Sequence, residues 1–200
     1  MDGASHSTEM KPDISQLLLR WSAGEEGALN EITPLVYGEL RRLAGSTLRR
    51  NGQESILQPT ALVHEAWMRM AGDQRRYIPN RPHFFALAAK IMRDILVDHL
   101  RRRLAAKRGG SQIEVALDSN EVSERPRYTD FLALDEALNR LGAIKQRYVR
   151  IAELRCLAGL TIEETAAVVA VSHATVEREW NFARAWLERE LRRTGNPRQP

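Results

Sequence analysis

Five histidines (His6, His64, His83, His99 and His173), one cysteine (Cys156) and 26 Asp and Glu residues are the groups here able to perform acid–base, nucleophilic or metal chemistry. Their spacing does not assemble a site. His64–Glu65 lacks the second histidine that would make a helical zinc-hydrolase motif, and no glycine-rich phosphate loop occurs. Asp98 and His99 are adjacent in "LVDHLRRR", and neighbours on a helix point apart. His83, His99 and Cys156 are distant in the chain, so only the fold could bring them together. One cysteine excludes an internal disulfide and a multi-cysteine zinc cage, and a reduced thiol in the cytoplasm is its expected state. The expectation is a chain without catalytic residues, metal or cofactor, and not an enzyme.

The chemistry that the spacing does support is recognition of a polyanion. "TIEETAAVVAVSHATVEREW", from Thr161 to Trp180, fits two short helices joined by a turn. Ile162 begins the first, Ala166 is small enough to let the helices cross, and Val169 and Val171 pack at the turn. Ser172 caps the second, with Val176 and Trp180 facing inward. This leaves Ser172, His173, Ala174, Thr175, Glu177, Arg178 and Asn181, with Arg184 a turn further on, on the face a helix presents to base edges in a major groove. A plain helical hairpin with a solvated face has a similar pattern. Ala170 stands where such a turn commonly has glycine, and Glu177 and Glu179 bring negative charge towards phosphates.

A second polyanion signal lies between Lys90 and Arg108. Seven bases (Lys90, Arg93, Arg101, Arg102, Arg103, Lys107, Arg108) face two acids (Asp94, Asp98), a net +5 on one helical pattern. Such a stripe tracks phosphates by releasing their counterions. The helix dipole favours bases too, but only in the last turn. Tyr77, Phe84 and Phe85 lie just upstream, where aromatics can stack on unpaired bases or simply fill a core.

The elements that must position these residues are all helical. Good helix formers dominate, 43% of residues are hydrophobic and 28% charged, and the formal charge is +4 with a pI near 9.6. No secretory signal is legible, and no apolar run approaches the ~18 residues of a membrane span, so a soluble cytoplasmic chain is expected. After a loose tail over 1–12, Asp13 caps a helix with Ile14, Leu17, Leu18 and Trp21 on one stripe, ended by Gly24. A second helix runs from about Glu25 to Arg50, with Pro34 kinking it or marking its true start. Thr60 opens a third. From His83 a long helix carries Phe84, Leu87, Ala88, Ile91, Ile95, Leu96 and Leu100 inward until Gly109 and Gly110 stop it.

From 111 to 130 periodicity fades and Pro126 appears. Between Ser111 and Glu136 seven acids (Glu114, Asp118, Glu121, Glu124, Asp130, Asp135, Glu136) meet two bases (Arg125, Arg127). This reads as a flexible acidic linker between a helical domain over 13–110 and a second over 131–193, with a tail over 194–200. The second domain has helices expected near 130–142, 145–157, 162–169 and 173–192.

A basic, aromatic-flanked helix in one all-α domain and a helix-turn-helix in the next resemble the extracytoplasmic-function (ECF) sigma factors of bacterial RNA polymerase. The likeness extends over "LLLRWSAGEEGALNEITPLVYGELRRLA", "LQPTALVHEAWMRM", "HFFALAAKIMRDILVDHLRRRLAAKRGG" and "LTIEETAAVVAVSHATVEREWNFARAWL", in the family's order, and points to its ECF-like subgroup. The resemblance implies sigma region 2 over 13–110 and a winged-helix-like region 4 over 131–193. It implies that Leu62, Val63, His64, Glu65, Ala66, Arg69 and Met70 meet the polymerase clamp helices, the apolar ones partly within the core. It assigns Phe84, Phe85, Lys90, Arg93, Asp94, Arg101 and Arg102 to the minus-ten element, and Ser172 to Asn181 with Arg184 to the minus-thirty-five element. Leu87, Asp94 and Glu177 depart from residues frequent in the family, which bears on base preference. Implied partners are core polymerase (clamp helices and flap), promoter DNA as duplex and as non-template strand, and an anti-sigma protein as regulator, with no membrane. A stand-alone helix-turn-helix regulator, binding duplex DNA as a dimer, is the competing expectation, and it leaves the clamp-like helix and the acidic strap unexplained.

Overall fold

Asp13 begins the first helix, its Oδ1 accepting the Ser15 backbone N–H at 2.9 Å, as its cap position requires. The computed structural model describes residues 13–50, 57–72, 77–108 and 121–195, and these form eight α-helices and no strand, the all-α fold expected. They are α1 (Ile14–Ser22), α2 (Glu26–Arg50), α3 (Pro59–Ala71), α4 (Arg81–Arg108), α5 (Glu121–Ile144), α6 (Gln146–Cys156), α7 (Ile162–Val169) and α8 (His173–Gly195). Gly24, at φ +90°, makes the turn out of α1 that a side chain would strain. Pro34 lies inside α2 and does not mark its start. Pro34 and Asn30 are both exposed, so the carbonyl deprived of its usual donor is open to water.

The first core is built by α1 to α4. Leu17, Leu18, Ile32, Val36, Leu40, Leu62, Val63, Ala66 and Met70 are buried in it with the apolar face of α4. Helix α4 is apolar on more than one side. Phe84, Ala88, Met92, Ile95, Leu96 and Leu100 enter the first core, while Ala86 packs with Leu154 and Leu160 of the second half. A helix buried on several faces is a shared central element, and α4 touches α1, α2 and α3 on one side and α5, α6 and α7 on the other. The second half builds its own clusters, one from Ala137, Leu138, Leu141, Ala152, Ala183 and Leu187, the other from Ile151, Ala166 and Val176. Phe131 and Leu157 from that half join the first core. The two halves expected to be separate modules are packed together here.

The linker expected over 111–130 is corrected in its second part. Residues 111–120 lie outside the described residues, and from Glu121 the chain is already helical, through Pro126 and on to Ile144. The packing of α5 against α4, α6 and α8 anchors it from Phe131 onward, and extending an anchored helix adds one hydrogen bond per residue ordered. The expected tail over 1–12 and the stop at Gly109 and Gly110 also lie outside the described residues. Of the tail expected over 194–200, residues 194 and 195 belong to α8, and 196–200 lie outside the described residues.

Candidate nucleic-acid interface

Helix α7 starts with a reciprocal cap. Thr161 Oγ1 accepts the Glu164 backbone N–H at 3.1 Å, and the Glu164 carboxylate accepts the Thr161 N–H at 2.9 Å. The T-x-x-E spacing carries this signal in the sequence, although the expected start of the helix rested on Ile162. The helix ends at Ala170, which adopts the left-handed conformation at φ 54°, ψ 47° despite its side chain. Val171 N–H then returns to the Ala166 carbonyl at 3.2 Å. Ser172 Oγ accepts the Thr175 N–H at 3.3 Å and starts α8 as its cap. Ala166, Val169, Val171, Val176 and Trp180 pack with Ile151 at the crossing, as the pattern predicted.

The outer face of α8 is open. Ser172, His173, Ala174, Glu177, Arg178, Asn181 and Arg184 are exposed, and Thr175 is half-buried beside its cap. Arg184 pairs loosely with Glu188, at 3.8 Å. One sequence expectation is corrected. Glu179 does not project towards phosphates but is buried, 4 % exposed, because Lys145 (2.7 Å) and Arg147 (2.5 Å) draw it inward. The hydrogen bonds from Arg147 hold its carboxyl at a pKa of about 2, well below the usual glutamate range. This acid and two bases leave one positive charge in surplus at the flank of α8. The pairing joins residues more than 30 positions apart, so no local pattern revealed it.

The residues read from α4 are placed differently. Phe84 is fully buried, edge-on to Trp21 at 6.5 Å, Trp67 at 6.3 Å and Phe85 at 5.3 Å. Phe85 is also buried, with the Arg81 guanidinium 5.0 Å over its ring. Neither presents a free face to a base in this conformation, because both serve the core between α1, α3 and α4. Tyr77, in the segment before α4, is exposed. Arg93 is likewise buried, its Nη2 3.1 Å from Glu153. Lys90 pairs with Asp94 at 2.8 Å and Arg101 with Asp135 at 3.1 Å, while Arg102 is exposed and donates to the Asp98 carbonyl.

On α3, Leu62, Val63, Ala66 and Met70 are buried and cannot meet another protein without unfolding, which corrects their partial exposure in the sequence reading. His64, Glu65 and Arg69 remain at the surface. Arg69 bridges Glu65 (3.3 Å) and Asp98 (3.2 Å), and His99 Nε2 lies 3.0 Å from Glu65. Asp98 and His99 thus point apart, each to a different residue of α3. Met68, overlooked in the sequence, is a large apolar side chain of this helix left exposed.

The remaining histidine and cysteine do not converge. His83 Nδ1 lies 2.7 Å from the Asn80 side-chain oxygen, and burial, aided by Arg150, pushes its pKa down. Cys156 is exposed at the end of α6. Among the described residues no group of three His, Cys, Asp or Glu side chains is placed to hold a metal, and no helix is long and apolar enough to cross a membrane.

An all-helical chain ending in a capped helix-turn-helix with an open recognition face has the architecture of a DNA-binding protein. The family model for ECF sigma factors matches residues 11–193. The chain belongs to that family, and is accordingly a sigma factor of RNA polymerase that acts in transcription initiation. No curated protein matches it.

Proposed function

We propose that three surfaces divide the work of promoter recognition. The outer face of α8, from Ser172 to Arg184, enters the major groove of the minus-thirty-five element. The exposed side of α4 around Lys90, Arg101 and Arg102, with Tyr77 before it, takes the non-template strand of the minus-ten element as the duplex opens. Helix α3 meets the polymerase clamp through His64, Glu65, Met68 and Arg69. The observation that carries this reading is the α8 face: its buried side is apolar apart from the ion-paired Glu179 and Glu190, its cap is formed, and its outer side is polar and uncovered at the helix N-terminus.

Opening the duplex needs a trap for unstacked bases, which compensates an unstacking cost of a few kcal/mol per base. Phe84 and Phe85 enter that trap only if α4 rearranges, so Tyr77 and the cations are the groups already in place. The test is run-off transcription with core polymerase on DNA upstream of the gene, with footprinting of the resulting complex. Protection of two elements about 25 base pairs apart, dependent on this chain, is the expected result; a base pair rises 3.4 Å along the duplex, so the two elements lie well beyond the reach of one helix-turn-helix. Tight duplex binding by the isolated chain, with no need for polymerase, would instead identify a stand-alone regulator.

A further inference from the structure

Helix α8 carries three aromatic side chains, and two of them, Trp180 and Trp186, pack against the second core. The third, Phe182, is left 44 % exposed. It follows Arg178 by four residues, one helical turn, so the two share the open outer face. The Phe182 ring rests on Tyr148 of α6, with centroids 4.8 Å apart and planes tilted by 42°. Tyr148 is itself half-buried against the core of α5, α6 and α8, so the support is fixed. Lys145 Nζ lies 5.1 Å over the Tyr148 ring, and with Arg147 it outweighs the charge of Glu179. A single exposed apolar residue is ordinary. This one is pre-positioned by a neighbouring ring, aligned with the exposed Arg178, and flanked by the surplus positive charge that a phosphate backbone attracts.

We propose that Phe182, held by Tyr148, reads the methyl group of a thymine in the minus-thirty-five element, while Lys145 and Arg147 meet the phosphates along that wall of the groove. This rests on the reading of α8 as the groove-entering helix. Of the groups that base edges present in the major groove, the thymine C5-methyl is the apolar one, and phenylalanine is among the side chains that contact it. The reach is sufficient. Phe182 lies ten residues after the Ser172 cap, about 15 Å along the axis. Helices that lie along the groove read bases to about three turns from their start. Arg178 and Phe182 are separated by about 6 Å along the axis, or roughly two base pairs at 3.4 Å each. The methyl group therefore belongs to a base pair one or two steps from the Arg178 contact. Stacking on Tyr148 restricts the ring before DNA arrives, which lessens the entropy lost on binding.

The experiment uses holoenzyme assembled from core polymerase and the full chain, on the promoter mapped by run-off transcription. Each thymine of the minus-thirty-five element, on either strand, is replaced in turn by deoxyuridine, which pairs alike and lacks only the methyl group. Competition binding is measured for wild type, Phe182→Ala and Phe182→Leu, with helicity checked by circular dichroism. The expected result is a thymine whose replacement weakens wild-type binding by about fourfold, the worth of one buried methyl-sized group. Phe182→Ala should bind the natural promoter at least about fourfold more weakly and ignore that replacement. Phe182→Leu keeps an apolar side chain against Tyr148 and should retain part of the sensitivity, even where alanine loosens α6 from α8. An element with no methyl-sensitive thymine for the wild type overturns the inference, whatever the variants do. Methyl sensitivity that persists in Phe182→Ala overturns it too, and persistence combined with weakened core-polymerase binding would place the ring pair against the polymerase instead. A wild-type holoenzyme that protects no upstream element is a different failure, which removes the groove reading of α8 and the inference with it.

Discussion

Arg147 grips Glu179 with two prongs, Nε to Oε2 at 2.7 Å and Nη2 to Oε1 at 2.5 Å, and so ties the start of α6 to the inner face of the recognition helix. Lys145 adds a third bond at 2.7 Å. Glu179→Gln keeps the shape and removes the charge. It is expected to cost about 2 kcal/mol, in the range of hydrogen bonds to charged groups. The folded chain keeps this carboxyl ionised down to a pKa of about 2, below its ordinary 4.5, so protonation favours unfolding. The stabilisation is complete above pH 4.5 and is lost as pH falls towards 2. Chemical denaturation at several pH values checks both points: wild type and variant should differ at neutral pH and converge in acid. A constant difference across that window would show that the charge is not responsible.

Ala170 sits in the left-handed region at φ 54° at the pivot of the helix-turn-helix. An alanine there pays roughly 1–2 kcal/mol of steric cost that glycine avoids, while glycine loses somewhat more backbone entropy on folding. Ala170→Gly is expected to stabilise the chain by about 0.5–1 kcal/mol, seen as a melting temperature raised by roughly 1–4 °C. A fall in melting temperature would mean that the rigidity of alanine at this turn outweighs its strain.

The helix-turn-helix was legible because its determinants are local. Ser172 caps within one turn, Ala166 and Val176 sit at fixed offsets, and α7 occupies the stretch its pattern marked out. Residues whose placement depends on distant partners were not legible. Phe84 and Phe85 beside a basic run look the same whether they stack on bases or on Trp21 and Trp67. Glu179 became a buried anchor only through Lys145 and Arg147. Arg93 reads as a surface cation until α5 and α6 close over it. The start of α5 was hidden by Pro126 and by the acids around it, which in isolation describe a linker.

Phe84 joins three other rings at the centre of the first core. Phe84→Ala is expected to cost about 3–5 kcal/mol, the usual range for emptying a buried aromatic site. The melting temperature should fall by roughly 10 °C or more. Phe84→Leu, which refills most of the space, should recover over half of that loss. If Phe84→Ala melted like the wild type while promoter opening by the holoenzyme failed, the ring would belong to the DNA trap and not to the core.

Arg178 projects from the exposed face of α8, in the second turn after the Ser172 cap, and the charged groups next to it are acids, Glu177 exposed and Glu179 buried. Glu177 beside it repels phosphates, and Glu179 is turned inward. Arg178 is therefore the first cation that an upstream element meets as the helix N-terminus enters the groove. A contact of this kind is worth about 1–3 kcal/mol, or roughly tenfold to a hundredfold in selection between sites. Arg178→Ala should weaken holoenzyme binding to a promoter with its upstream element by at least about tenfold, and leave affinity for core polymerase within about twofold because α8 is distant from α3 in the chain's packing. Binding to a promoter whose upstream element has been scrambled should be nearly unchanged, since the contact is already lost there. Competition binding on the two promoters, with polymerase affinity measured in parallel, distinguishes the cases: equal losses in promoter and polymerase binding would place Arg178 in the scaffold and not at the groove.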